Sequence, residues 1–165
     1  AGPEAGEQAA VQPSLSLDFI LQTIAPTFAL EGGAPRLQRQ LLEWFSPRDV
    51  EAGHVLWREG HRSDRVLILA SGRLRAEDET GAVQDTDCPG CMLGEFGLIT
   101  GERRQNTVSA ITDARLYELT AERWAEMQAQ APRLAFALAT AALKYAGKRL
   151  HNLAIVLSQA QATPV

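Results

Sequence analysis

Two charged side chains nine residues apart, Glu95 and Arg104, are the groups in this chain best suited to hold a ligand. The Arg104 guanidinium can bind a phosphodiester anion through paired hydrogen bonds, and the Glu95 carboxylate can accept a hydrogen bond from a sugar hydroxyl. Gly94, Gly97 and Gly101 would let the backbone come close to such a ligand. The spacing therefore predicts one segment that holds a sugar and a phosphate together.

The segment 93–108, with the sequence LGEFGLITGERRQNTV, resembles the phosphate-binding cassette of cyclic nucleotide-binding domains. Gly94 and Glu95 match the family's Gly-Glu pair, and Arg104 matches its arginine. The resemblance implies that cAMP or cGMP is the ligand, with Glu95 on the ribose hydroxyl and Arg104 on the phosphate, and that no other cofactor is needed. The residues expected to contact it are Gly94, Glu95, Phe96, Gly97, Arg104, Gln105, Asn106 and Thr107.

Three residues depart from the family pattern. Arg103 replaces a proline, and Gln105 stands where selective cGMP binders often carry threonine. Asn106 replaces a small alanine, so an extra amide must fit in a tight site. Two hypotheses therefore stay open. The chain is either a regulatory module that binds a cyclic nucleotide, or a degenerate β-roll domain of the same family that binds no nucleotide and serves as an interaction or dimerisation scaffold.

The last predicted helix could supply a lid over the base. Tyr145 could stack on the base, and Lys144, Lys148 and Arg149 could add cation–π contacts. The alternative, in which Tyr145 packs in the core and the cations are solvated, stays open.

Short β-rich segments separated by glycines begin at about Arg48. Eight of the thirteen glycines lie between Gly53 and Gly101, which favours many short strands joined by tight turns. We expect a mainly β fold with flanking helices: an antiparallel, jelly-roll-like β-roll with N-terminal helices, a short cassette helix and a long C-terminal helix. The resemblance, which covers about 40–160, implies the same roll. The predicted strands are 47–52, 54–59, 65–70, 73–78, 82–86, 106–111 and 114–119.

Helix signals flank the roll. An amphipathic pattern over 15–29 is interrupted by Pro26, and Pro35 suits the first position of a helix over 35–45. Thr120 is a good N-cap, and Pro132 begins a helix that could run to about residue 159. The expected divisions are a linker (1–13), an N-terminal helical segment (14–46), the β-roll (47–120) with its cassette (94–108), C-terminal helices (121–160) and a tail (161–165).

Composition and charge narrow the class of protein. Net charge is −4 and the isoelectric point is about 5.4, which argues against a nucleic-acid partner. No apolar run approaches the roughly 20 residues that cross a bilayer, and no secretory signal is seen, so we expect a cytoplasmic setting. We find no nucleophile–base pair and no Walker-type loop, so we expect a binding module and not an enzyme.

The partners follow from the same features. The chain begins at Ala1 and not at Met, so we expect a piece of a larger protein. The segment 120–128 and its Ala/Leu-rich continuation are similar to rolls at the end of sulfate-permease-type anion transporters, which suggests a membrane transporter or channel as the remainder. Apolar stripes on the long helix would allow a homo-oligomer.

A C-x-x-C motif, Cys88-Pro89-Gly90-Cys91, has two interpretations. It could be a redox pair or half of a zinc site, but the chain has no second cysteine pair. Because the motif falls in a Pro-Gly turn between strands, two reduced thiols are the favoured interpretation, and they suit the cytosol.

Overall fold

The computed structural model describes residues 16–24 and 33–162, which form two four-stranded antiparallel sheets and five helices. The expected antiparallel β-roll with flanking helices is confirmed. The helices are α1 (Leu17–Ile24), α2 (Gly33–Leu42), α3 (Glu95–Thr100), α4 (Ala121–Gln130) and α5 (Pro132–Ala162). The strands are β1 (Ser46–Val50), β2 (Val55–Trp57), β3 (Arg65–Ser71), β4 (Leu74–Glu77), β5 (Val83–Thr86), β6 (Met92–Leu93), β7 (Thr107–Ala110) and β8 (Ala114–Thr120).

The two sheets have the strand orders β1-β8-β3-β6 and β2-β7-β4-β5. Strand β3, in the interior of the first sheet, contributes to the packing on both faces of that sheet, because successive side chains of a strand point to opposite faces. Leu67 and Leu69 belong to the core between the sheets, whereas Val66 and Ile68 belong to the core shared with the helices. The run Val66–Leu69 is continuously apolar because both of its faces are buried.

The N-terminal helices differ from their predicted bounds. α2 begins at Gly33, two residues before Pro35, and ends at Leu42, and the turn that follows still buries Phe45. α1 covers only part of the 15–29 pattern. Pro26, the predicted linker 1–13 and residues 163–165 of the predicted tail lie outside the described residues.

The C-terminal helices begin where the sequence predicts. The Thr120 hydroxyl accepts a hydrogen bond from the Arg123 backbone N–H at 3.2 Å, so the predicted N-cap of α4 is confirmed. α5 starts at Pro132 and runs for 31 residues, about 46 Å at a rise of 1.5 Å per residue. It continues to Ala162, so the expectation of a tail from 161 is wrong for its first two residues.

The two halves of α5 have different surroundings. Its first half packs on the roll and α1 through a buried face that ends at Tyr145, whereas residues 147–161 are all exposed. The helix therefore passes over the roll and then projects from it. Within the described ranges, no helix combines the length and the hydropathy that a membrane crossing needs.

Candidate functional site

The cassette begins at a glycine that no other residue could replace without strain. Gly94 caps the N-terminus of α3 with φ 83°, a left-handed conformation that L side chains rarely adopt. A Cβ added there would collide with the guanidinium of Arg104 and would lie 2.9 Å from the Trp57 ring. The turn from β6 into α3 therefore requires glycine both for its backbone conformation and for the close approach of Arg104 and Trp57.

Arg104 is turned inward and is only 5% exposed. Its guanidinium donates hydrogen bonds to the carbonyls of Gly94, at 3.3 Å, and Arg65. The same group lies over the Trp57 ring, with 3.7 Å between its central carbon and the ring centroid. Its Nε is buried and makes no hydrogen bond within the described part of the chain.

The backbone holds Arg104 in this position. Its N–H donates to the His61 carbonyl at 2.9 Å, and its carbonyl accepts from Gly60 at 2.8 Å, which ties the cassette to the loop between β2 and β3. The carboxylate of Asp64 lies 3.8 Å from the guanidinium but is itself 63% exposed. Burial lowers the pKa of Arg104 to about 10, because the charged form loses hydration that Asp64 only partly offsets.

Glu95 is half-buried at the start of α3. Burial raises the pKa of its carboxyl above the ordinary value, while its own backbone N–H and the cations Arg149 and Arg104 act in the opposite direction. A carboxylate from the cassette, the cassette arginine and a cation from α5 therefore influence one another at a single site.

These side chains surround a cavity of about 180 Å³ between the cassette and α5. Two of the predicted contact residues, Thr107 and Lys148, do not line it. The Thr107 hydroxyl accepts a hydrogen bond from the Glu59 backbone, and the Lys148 ammonium lies 6.0 Å from the Phe19 ring centroid. The predicted residues that do line it are Gly94, Glu95, Phe96, Gly97, Arg104, Gln105, Asn106 and Tyr145.

Helix geometry explains why α5 presents Arg149 and not Lys148 to the cavity. Residues four apart lie on the same helix face, so Arg149 follows Tyr145, and the Arg149 guanidinium is 5.8 Å from the Tyr145 ring. Tyr145 packs in the core shared with the helices, where it is only 6% exposed, and it also forms part of the cavity wall. Burial raises the pKa of its hydroxyl.

Trp57 and Thr86 are among the cavity residues that could not be identified from the sequence. Trp57 belongs to the core between the sheets, and its ring also forms the surface under Arg104. Thr86 is a buried polar side chain at the end of β5. No local sequence signal marks either one, because the contacts are made across strands that are far apart in the chain.

The chemistry available in the cavity is binding chemistry. A buried guanidinium attracts an anion, a half-buried carboxyl can accept from a hydroxyl, and an aromatic ring offers a stacking face. In the described part of the chain, no group of three or more His, Cys, Asp or Glu side chains is placed to hold a metal ion.

Comparison with known proteins gives a consistent result. The family model described as "Cyclic nucleotide-binding domain" matches residues 47–131. A cyclic nucleotide-gated potassium channel of Rhizobium etli is 29% identical over 134 residues, which are 79% of this chain and 37% of the channel. Patatin-like phospholipase domain-containing protein 7 of Rattus norvegicus is 33% identical over 89 residues, 48% of this chain and 6% of that protein.

Among solved structures, the catabolite activator protein of Thermus thermophilus superposes with a TM-score of 0.59 at 26% identity, covering 78% of this chain and 61% of that one. The chain spans well under half the length of the potassium channel and of the phospholipase domain-containing protein. The residues that the family model matches, 47–131, hold the strands of the roll, the cassette and α4.

Proposed function

Because this chain belongs to the cyclic nucleotide-binding domain family, we propose that it is a regulatory module that binds cAMP or cGMP in the cavity between α3 and α5. The observation that carries the proposal is the buried guanidinium of Arg104, which lines the cavity and whose ion-pair partner among the described residues, the exposed carboxylate of Asp64, lies 3.8 Å away. A phosphodiester there would supply the anion that this cation lacks at close range.

Glu95 has a separate role in this proposal. Its carboxylate accepts a hydrogen bond from the ribose 2′-hydroxyl, which the half-buried position at the cavity wall supports. Gln105 and Asn106, the two residues that follow Arg104 in the chain, also line the cavity. Asn106 narrows the phosphate end but leaves its backbone N–H in place.

The output of the module is the position of α5. A cavity of about 180 Å³ is smaller than the roughly 300–1,000 Å³ of small-molecule pockets. Tyr145 and Arg149 of α5 form one wall, so a nucleotide enters as this helix moves outward, and the bound base then rests against the same side chains. Binding energy shifts α5 between two positions, and an attached domain responds.

We place the module on the cytoplasmic side of a larger protein, as residues 47–120 for binding and 121–160 for output. The module itself performs no catalysis and contacts no nucleic acid. The Rhizobium etli relative supports a membrane channel as the remainder. A sulfate-permease-type anion transporter is the other candidate, and it rests on the likeness of segment 120–128.

A second function, an interaction scaffold that binds no nucleotide, is favoured by the surface of α5. Four large apolar side chains are exposed at intervals of seven residues, which is the heptad repeat of a coiled coil. They are Phe136, Leu143, Leu150 and Leu157, which are 65%, 73%, 68% and 56% exposed. A second copy of the chain could cover this stripe and form a homo-oligomer.

Titration calorimetry with cAMP and cGMP distinguishes the two functions. We expect saturable binding that Arg104→Ala weakens tenfold or more, about 1.4 kcal/mol. The matched control is Arg115→Ala, an exposed arginine on β8 that pairs with Asp49 away from the cavity and should leave affinity unchanged. An absence of heat at millimolar nucleotide, together with an unmoved melting midpoint, would reject the nucleotide module and favour the scaffold.

A further inference from the structure

The C-x-x-C motif forms a tight turn that leads into β6. The Cys91 backbone N–H donates to the Cys88 carbonyl at 3.1 Å, and Gly90 has φ 86°. Proline in the second position and a positive-φ glycine in the third are typical of a type II turn. Cys88 and Cys91 are thus the first and fourth residues of one turn.

This geometry brings the two cysteines within the reach of a disulfide. The Cα atoms at the ends of a β-turn lie within about 7 Å of each other, and a disulfide needs about 4.4–6.8 Å. Both residues are free thiols in this structure. Burial raises the pKa of the Cys91 thiol to about 12, and its contact with Cys88 adds to the shift. The Cys88 thiol donates a hydrogen bond to the Pro89 carbonyl at 3.7 Å, so it lies against the turn that separates it from Cys91.

The environments of the two thiols are unequal. Cys88 is exposed, whereas Cys91 is 4% exposed beneath the turn. A small oxidant in solution reaches Cys88 directly, and Cys91 is sheltered from it. This is the arrangement of an attacking thiol beside a resolving thiol.

From this turn we infer that Cys88 and Cys91 are a dithiol site that a hydroperoxide oxidises to an intramolecular disulfide. The Cys88 thiolate attacks one peroxide oxygen, the O–O bond breaks, and Cys88 becomes a sulfenic acid while the other oxygen leaves as water or an alcohol. The Cys91 sulfur then attacks the Cys88 sulfur. An S–S bond forms, the S–O bond breaks, and the Cys91 proton leaves with the hydroxyl group as water.

The disulfide would form in a turn that is hydrogen-bonded to the neighbouring strand β3. The Gly90 N–H donates to the Leu69 carbonyl at 2.7 Å, and the Leu69 N–H donates to the Cys91 carbonyl at 2.9 Å, so β3 holds the turn in place. Ser16, at the start of α1, also pairs with Cys91. A disulfide would fix the turn that precedes β6 and the cassette.

The test treats the whole chain with hydrogen peroxide, then unfolds it and alkylates the remaining thiols before intact-mass analysis. We expect the wild-type protein to lose the mass of two hydrogen atoms and to accept no alkyl group. It should remain a monomer on a non-reducing gel, and dithiothreitol should restore two alkylatable thiols. In Cys91→Ser, dimedone should trap a sulfenic acid on Cys88.

Cys88→Ser is the control that separates reactivity from folding, because an exposed side chain can be changed without disturbing the core. Its Cys91 should stay alkylatable after a peroxide dose that oxidises the wild type. The inference is overturned when the wild type keeps two alkylatable thiols at the dose that oxidises Cys91→Ser. It is also overturned when the only disulfides formed join two chains.

Discussion

The guanidinium of Arg104 lies over the indole ring of Trp57, 3.7 Å from the ring centroid, so a buried cation and a core aromatic residue share one cavity wall. Such a contact stabilises a desolvated cation by about 2 kcal/mol or more. Trp57 therefore links the packing of the second sheet to the charge in the cavity. This relationship allows stability and binding to be tested with the same side chain.

Two substitutions of Trp57 should distinguish how much stability comes from the contact of its ring with Arg104 and how much comes from the volume it fills in the core. Trp57→Ala should lower the free energy of unfolding by about 3–5 kcal/mol, because it opens a cavity and removes the surface under Arg104. Trp57→Phe keeps an aromatic face and removes a buried indole N–H that has no partner among the described residues, so its loss should be markedly smaller. Urea denaturation of both variants provides the measurement, and equal losses would contradict a role for the ring.

Two glycines with the same backbone conformation form a matched pair. Gly94 and Gly81 both have φ 83°, but a Cβ at Gly81 meets no atom within 4 Å, whereas one at Gly94 meets Arg104 and Trp57. Gly81→Ala should therefore cost only the backbone strain, about 1–2 kcal/mol. Gly94→Ala should cost about 1–3 kcal/mol more through overpacking.

Thermal or urea unfolding of the two alanine variants tests this difference. Equal destabilisation would mean that Arg104 moves aside freely and that the close packing around Gly94 is not needed. Under the proposed function, Gly94→Ala should also weaken cyclic nucleotide binding, and Gly81→Ala should not.

The fold could be predicted from the sequence because its signals are local. The seven predicted strands are present with ends within two residues of the expected positions, since turn glycines and β-rich segments alternate regularly. β6 was missed because a two-residue strand between a Pro-Gly turn and the cassette has no periodicity. The start of α2 was placed two residues late, because Pro35 is not the first helical residue.

The site could be predicted only in part, because its side chains meet across long sequence separations. The cassette motif identifies Glu95 and Arg104, but the inward turn of Arg104 depends on the Arg65 carbonyl, 39 residues away. The contribution of Trp57 depends on the packing between the sheets. Arg149 is one of several cations on the last helix. The sequence does not show which of them faces the cavity, because that depends on how α5 is rotated about its own axis against the roll.

The exposed stripe on α5 should control self-association. Leu143→Lys with Leu150→Lys replaces two exposed side chains, so the fold of one chain should be unaffected, while any oligomer formed through this stripe should dissociate. Asn152→Lys with Ser158→Lys adds the same charge at exposed polar positions and serves as the control. Sedimentation velocity measures the outcome. An oligomer that survives the leucine changes must use another surface.

The carboxyl of Glu95 should make stability depend on pH in a direction opposite to that of a salt-bridged carboxylate. Burial raises the pKa of Glu95 in the folded chain above its ordinary value of 4.5. Between the ordinary pKa and the raised one, the folded state binds more protons than the unfolded state does. The contribution of Glu95 to the free energy of unfolding therefore falls as the pH rises through this window and changes no further above it.

Glu95→Gln removes this titration while keeping the size of the side chain. Urea denaturation of both proteins across a pH series should show the stability of the wild type falling relative to that of the variant as the pH rises from 4.5. Arg149→Ala should widen the window upward, because the Arg149 cation opposes the rise in the Glu95 pKa. A wild type that gains stability relative to Glu95→Gln over this range would mean that favourable charge contacts outweigh burial. Glu95 would then be an ion-paired residue of the cassette, and its carboxylate would be less available to a ligand hydroxyl.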